Sequence, residues 1–241
     1  LKSLNCKIRS IERYNATTRR VILEIPDGEP ISFKAGQYLN IVLVDKRCPF
    51  SIASSPDIEG SLELHIRPTP NSADSVEIEK LLDSATSLNI EIPIGDCFVD
   101  ATIDSPLILM GASTGITQMK SIIEFLLPRG PTQPIWLYWG VLSAQDLYLT
   151  ELCLSWEEQY SGFTFVPVVS EPHRSPEWQG RTGLLLDAVL QDFDQLNDMQ
   201  VYVSGSPGMV YATYDRFIEH GIDAKAIFSD VFAYAPRAQK A

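Results

Sequence analysis

Apolar and polar residues alternate with a period of two along Cys6-Lys7-Ile8-Arg9-Ser10-Ile11, Val21-Ile22-Leu23-Glu24-Ile25 and Ser61-Leu62-Glu63-Leu64-His65-Ile66. A strand sends successive side chains to opposite faces, so each stretch reads as a half-buried β-strand. Turn formers separate them, at Pro26-Asp27-Gly28, Ala35-Gly36, Pro56-Asp57 and Glu59-Gly60. Several short strands punctuated in this way predict a small antiparallel barrel. Within it one helix is expected over 73–83, with Val76, Ile78, Leu81 and Leu82 as its apolar face.

The pattern changes after Asp104-Ser105-Pro106. A wholly apolar strand at 107–110 precedes a helix at about 114–127, ended by Pro128. Strands at 135–140, 163–170 and 200–204 then alternate with helices at 144–159, 182–191 and 207–220, and a short strand is expected near 226–229. Apolar strands alternating with helices predict a parallel, doubly wound sheet, which binds ligands at the carboxyl ends of its strands. The expected division is a barrel domain over 1–103 and an α/β domain over 104–241.

Composition narrows the partners. The 241 residues carry 19 basic and 31 acidic side chains, a formal charge of −12. That disfavours a large nucleic-acid footprint and a polybasic membrane anchor. No apolar run reaches membrane-spanning length, and LKSLNCKIRS has no signal-peptide core. Cys6, Cys48, Cys97 and Cys153 form no CxxC pair, and His65, His173 and His220 match no metal spacing. No metal is expected, and free cysteines fit a reducing cytoplasm.

The stretch Gly111-Ala112-Ser113-Thr114-Gly115 admits two chemistries. It matches G-x-S-x-G, the turn that exposes a hydrolase's nucleophilic serine, with Ser113 as nucleophile. Ser113 would then need a later histidine, and the candidates are His173 and His220. His220, in Glu219-His220-Gly221, is equally suited to cap a helix C-terminus. The stretch also suits a strand-to-helix turn in which small residues and unpaired N–H groups receive a pyrophosphate.

Three further segments bear on the choice: Pro49-Phe50-Ser51-Ile52-Ala53-Ser54, Val203-Ser204-Gly205-Ser206-Pro207-Gly208-Met209, and Ser229-Asp230-Val231-Phe232-Ala233-Tyr234. Together with Tyr138-Trp139-Gly140, and in this order, they resemble the ferredoxin–NADP reductase superfamily. The resemblance is closest to the NAD(P)H:flavin oxidoreductases of the Fre and LuxG kind, and it spans nearly the whole chain. It implies a flavin-binding barrel of the ferredoxin reductase type followed by a nicotinamide-nucleotide domain. Hydride would pass from nicotinamide C4 to flavin N5, with NADH or NADPH as donor and riboflavin, FMN or FAD as acceptor.

By the same resemblance, Ser51 is the catalytic residue, hydrogen-bonding near flavin N5. Pro49, Phe50, Ser51, Ile52, His65 and Phe232 are the expected flavin-binding residues, with Tyr234 an alternative to Phe232 as the aromatic over the flavin. Gly111, Ala112, Ser113, Thr114, Gly115, Gly140, Ser204, Gly205 and Met209 are expected to receive the nicotinamide nucleotide. Two departures from the family pattern stand out. The arginine of R-x-[YF]-S is replaced by Cys48, and Arg47, one residue early, is not expected to substitute on an alternating strand. Pro68-Thr69-Pro70-Asn71-Ser72 stands where a phosphate motif is expected. Both departures favour flavin as a diffusing substrate over a tightly held one. Cys48→Arg is accordingly expected to strengthen FMN and FAD binding.

Reduced flavin would serve a flavin-dependent monooxygenase or a luciferase. The alternative within the fold is a flavin-bound electron-transfer reductase with a separate iron–sulfur or oxygenase partner. Gly140–Gln145 holds no basic residue for a 2′-phosphate, so NADH is expected over NADPH, with Arg174 and Arg181 as possible exceptions.

Overall fold

The computed structural model describes residues 1–237. The chain forms two compact units, one of Leu1–Asp100 and Lys120–Pro128, the other of Ala101–Met119 and the chain from Arg129 onward.

The first unit contains β1 (Lys2–Arg13), β2 (Arg19–Glu24), β3 (Tyr38–Val42), β4 (Arg47–Ser51), β5 (Ser61–Ile66), α1 (Ala73–Ser84) and β6 (Ser87–Ile94). The strands form an antiparallel, barrel-like sheet in the order β4-β3-β6-β1-β2-β5. Beyond β4 the chain closes onto β5, where the Ala53 N–H donates to the Glu63 carbonyl at 2.8 Å. The alternation read from the sequence places Leu62, Leu64 and Ile66 in the core with Val21, Leu23, Leu39, Ile41, Leu88 and Ile90. β6 carries the same signal, with Leu88, Ile90 and Ile92 buried at alternate positions.

Helix α1 starts where Ser72 accepts a hydrogen bond from the Ser75 N–H. Ile78 and Leu82, four residues apart, share the buried face, whereas Val76 is 54% exposed. Val76 precedes Ile78 by two positions, more than half a turn around the helix, so the two cannot face the same way.

The second unit contains β7 (Leu107–Ala112), a 3₁₀ turn at Ser113–Gly115, β8 (Ile135–Val141), α3 (Thr150–Gln159), β9 (Phe163–Val169), β10 (Arg181–Thr182), α4 (Leu185–Asp192), β11 (Gln200–Ser204), α5 (Pro207–Glu219), β12 (Ile227–Phe228) and α6 (Val231–Tyr234). The sheet is parallel throughout, in the order β10-β9-β8-β7-β11-β12. The chain runs outward from β7 to β10 and then returns to β11, so strand order reverses between β7 and β11. Helix α2 (Ile116–Leu126) begins in this unit, and its residues from Lys120 onward belong to the first.

Two expected helices are shorter than their periodicity suggests. Over 144–159, Ser143 and Asp146 form a reciprocal cap that isolates a 3₁₀ turn at Ala144–Asp146 before α3 begins at Thr150. Over 182–191, Arg181 and Thr182 pair with β9 as a strand, and Gly183 at φ +107° turns the chain into α4.

Candidate functional site

In the first unit, β4 carries the segment singled out from the sequence. Cys48 and Phe50 sit opposite Ile41 and Leu39 on β3 and face the core, and Pro49 and Ser51 alternate with them. A cavity of about 200 Å³ lies beside this strand. Arg47, Cys48, Pro49 and Phe50 line one wall, Ile66 and Arg67 at the end of β5 another, and Thr69, Ser72 and Ser75 at the start of α1 a third.

The positions at the head of β4 correct the sequence expectation. Cys48 is 7% exposed, and burial raises its thiol pKa, with Asp74 and Glu77 adding to the shift. An arginine there would sit in the buried wall, so Cys48→Arg is not a simple restoration of a phosphate ligand. Arg47 alternates outward, yet at the end of the strand it still reaches the same cavity. Its Nε lies 3.0 Å from both carboxylate oxygens of Glu91.

Ile52 and His65 are also placed differently from the expectation. Ile52 is fully buried in the barrel core, so its side chain offers nothing to a ligand. The His65 side chain is 0% exposed, and its Nε2 donates to Glu63 Oε1 at 2.7 Å.

Glu63 is the centre of a buried charged cluster that the sequence reading missed. Arg20 Nη2 donates to its carboxylate at 3.0 Å, the Tyr14 hydroxyl at 3.4 Å, and Lys120 Nζ lies 3.5 Å away. Lys120 also donates to Glu124 at 2.8 Å and to the Ala53 carbonyl at 3.4 Å. The Ser121 hydroxyl donates to the Ser54 carbonyl at 2.8 Å. The cluster therefore holds the backbone of the segment that continues Ser51.

Burial alone would raise the Glu63 pKa, but hydrogen bonds from His65 and Arg20 and the charge of Lys120 outweigh it and hold the carboxyl well below its usual range. Burial lowers the His65 pKa, which keeps the imidazole neutral. In both cases the unfolded chain binds a proton that the folded cluster does not, so stability falls as pH drops. The loss should begin near about pH 6.5 with His65 and deepen near about pH 4.3 with Glu63. Thermal unfolding across pH 8 to 4 checks this, and His65→Gln should flatten the upper part of the profile alone.

In the second unit, the carboxyl ends of β7 and β11 bring two loops together. A Cβ on Gly115 would lie 2.5 Å from the Ser204 carbonyl oxygen, and one on Gly111 would lie 2.8 Å from the Ile116 nitrogen. A Cβ on Gly205 would meet Met209 Sδ at 2.5 Å and the Ala112 Cβ at 3.3 Å. The structure thus unites Gly111, Ala112, Ser113, Thr114 and Gly115 with Ser204, Gly205 and Met209. Gly140 pairs with Ala112 at the same sheet edge, where an added Cβ would lie 3.1 Å from a methyl group of Leu185. Helix α5 opens with Pro207 after Ser206, whose hydroxyl accepts from the Met209 N–H. Two helix starts, α2 and α5, therefore flank the point where strand order reverses, the usual ligand position in such sheets.

Ser113 has φ +53°. A strained turn is common to a nucleophile elbow and a phosphate loop, so the backbone conformation does not choose between them. The Ser113 carbonyl accepts from Trp139 Nε1 at 2.9 Å and from the Ile116 N–H. His220 Nδ1 donates to the Arg216 carbonyl at the end of α5, the capping role weighed for it, and His173, the other candidate base, lies in the 3₁₀ turn Pro172–Arg174 after β9.

Phe232 packs against Tyr211 and Tyr214, with ring centroids 5.7 and 5.5 Å away. Tyr234 is 63% exposed. Of the two aromatics considered for the flavin, Tyr234 is the more exposed, and Phe232 is half-buried against Tyr211 and Tyr214. Arg174 pairs with Glu171 at 3.2 Å, and Arg181 is bound by Asp192 and by the Ala188 carbonyl.

Comparison with known proteins agrees with this geometry. Residues 5–98 match the oxidoreductase FAD-binding domain and residues 109–215 the oxidoreductase NAD-binding domain. An NAD(P)H-flavin reductase of Vibrio harveyi is 34% identical over 239 residues, 96% of this chain and 99% of that protein. The NAD(P)H-flavin reductase of Aliivibrio fischeri is 36% identical over 238 residues, again 96% and 99%. The crystal structure of the Amycolatopsis cytochrome P450 reductase GcoB superposes with a TM-score of 0.86 at 29% identity, covering 95% of this chain and 69% of that one. A flavin-type barrel, a parallel sheet with glycine loops at its reversal point, and full-length likeness to flavin reductases agree: the chain belongs to the NAD(P)H-flavin reductases of the ferredoxin–NADP reductase superfamily.

Proposed function

We propose that this chain oxidises NADH and passes the hydride to a freely exchanging flavin, with the flavin on the barrel unit and the nucleotide on the α/β unit. The paired loops at the reversal point of the parallel sheet carry the reading. Their close backbone approach at Gly111 and Gly115, and the tight packing of Gly205 against Met209 and Ala112, have no catalytic side chain to serve, but they shape a cradle for a pyrophosphate. Chemistry of this kind resides in the two cofactors, and the protein supplies orientation and hydrogen bonds.

The cavity beside β4 would receive the ribityl end of the flavin. Arg47 and Arg67 line it, but so do Asp74 and Glu79, and Arg47 is already paired with Glu91. A phosphate would therefore gain little there, which supports a diffusing flavin over a tightly held one. NADH preference is supported by the engagement of Arg174 and Arg181 with Glu171 and Asp192. Oxidation of NADH and NADPH by the purified protein, with riboflavin, FMN or FAD added, tests the proposal. The expected result is flavin-dependent turnover with a higher kcat/KM for NADH. No turnover with any flavin would remove it.

Ser51 is the residue proposed to hydrogen-bond near flavin N5. A bond that matters mainly during hydride transfer acts on the rate constant. Ser51→Ala should lower kcat by about tenfold or more with little change in melting temperature. Full activity in the variant would make Ser51 structural.

Reduced flavin would pass to a monooxygenase or luciferase in the cytoplasm. No helix among the described residues is long and apolar enough to cross a membrane. A bound-flavin role with a separate iron–sulfur or oxygenase partner is the second reading, favoured by the likeness to a P450 reductase. A protein that purifies yellow would support that one.

A further inference from the structure

Ser113 carries a left-handed backbone, at φ +53°, that L-residues disfavour. Its carbonyl is fixed by two donors, the Ile116 N–H at the start of α2 and the indole Nε1 of Trp139 at 2.9 Å. Trp139 stands on β8 directly opposite Gly111 of β7 and is fully buried, with its ring edge-on to Tyr148 at 5.2 Å. A buried indole N–H needs a partner, and here that partner is the loop itself. If the loop left this shape, the indole N–H would be orphaned in the interior. Ser113 is thus locked from below the sheet edge, and the backbone at Thr114, Gly115 and Ile116 is held in one arrangement before any ligand arrives.

We propose that Trp139 is a positioning residue for the nicotinamide nucleotide. Its indole N–H holds Ser113 in the left-handed conformation that aims the loop's amides. The proposal rests on the reading of residues 111–115 as the pyrophosphate loop. A loop ordered in advance spares the nucleotide the cost of ordering it, so the contribution falls on binding and not on the chemical step.

Trp139→Phe keeps an aromatic ring and removes the donor. It should raise the KM for NADH about tenfold, the scale of one hydrogen bond, with kcat within about twofold and the flavin KM unchanged. Introducing Ser113→Gly into that variant should restore most of the loss, because glycine adopts positive φ without a lock. In the nucleotide-free protein, hydrogen exchange at the Ile116 amide should be faster in Trp139→Phe than in wild type. Unchanged exchange together with unchanged KM would overturn the proposal, as would a KM defect that Ser113→Gly fails to reduce. Faster exchange with an unchanged KM would show that the lock exists but that the loop does not bind the nucleotide, and it would overturn the reading beneath the proposal. Should Trp139→Phe not fold, the indole proton of Trp139 can be followed by NMR in the wild-type protein. Protection from exchange and a shift on adding NADH support the proposal, and exchange at the rate of an exposed indole overturns it.

Discussion

Gly115→Ala should reduce kcat/KM for NADH by roughly a hundredfold, the scale of a 1 Å misplacement in a binding site. The added Cβ would lie 2.5 Å from the Ser204 carbonyl oxygen and 3.2 Å from the Ser204 Cβ. The closest obstacle is backbone at the end of β11, which cannot rotate away as a flexible side chain could. The start of α2 must retreat from β11, and that separates the two loops that form the cradle. Flavin binding depends on the barrel unit and should be retained. Steady-state oxidation of NADH, paired with riboflavin fluorescence titration, distinguishes loss of the nucleotide site from general damage. A normal KM for NADH would mean that the nucleotide lies elsewhere.

Lys120→Met should destabilise the protein by about 3 kcal/mol, the cost of leaving a buried ion pair without one partner. The Lys120 side chain is 6% exposed and holds Glu124 at 2.8 Å, Glu63 at 3.5 Å and the Ala53 carbonyl at 3.4 Å. Methionine fills most of the volume but leaves Glu124 without its hydrogen-bonded cation and Glu63 with Arg20 alone. Burial already raises the Glu124 pKa, opposed by Lys120, so the variant's Glu124 should take up a proton more readily. In a chain of this size such a loss lowers the melting temperature by about 6–12 °C. Adding Glu124→Gln to the variant should return part of it. A melting temperature unchanged within about 1 °C would show that the cluster contributes only local order.

Much of the candidate site was legible because it is contiguous in the chain. Gly111–Gly115 and Ser204–Met209 each occupy one strand-to-helix turn, and period and turn residues locate such turns without tertiary information. The charged cluster was not legible. Tyr14, Arg20, Glu63, His65, Lys120 and Glu124 come from separate segments, and in a linear reading Glu63 is simply the polar partner in an alternating strand. Covering that second face with α2 is what turns an outward carboxylate into a buried one.

The sequence by itself determined the two-part architecture, the parallel order of the second unit's alternation and the glycine positions of its loops. These follow from local periodicity and from backbone geometry, which act over a few residues at a time. Only the tertiary structure decided which of the candidate side chains are buried or already engaged by other residues. Ile52 went to the barrel core, His65 to Glu63, and Phe232 to a cluster with Tyr211 and Tyr214, leaving Tyr234 exposed. It also put Cys48 in a buried wall and brought Arg47 to the cavity that strand alternation alone had assigned to the other face. The reason is that burial and partner choice depend on what packs across each face, and that is set by segments distant in the chain.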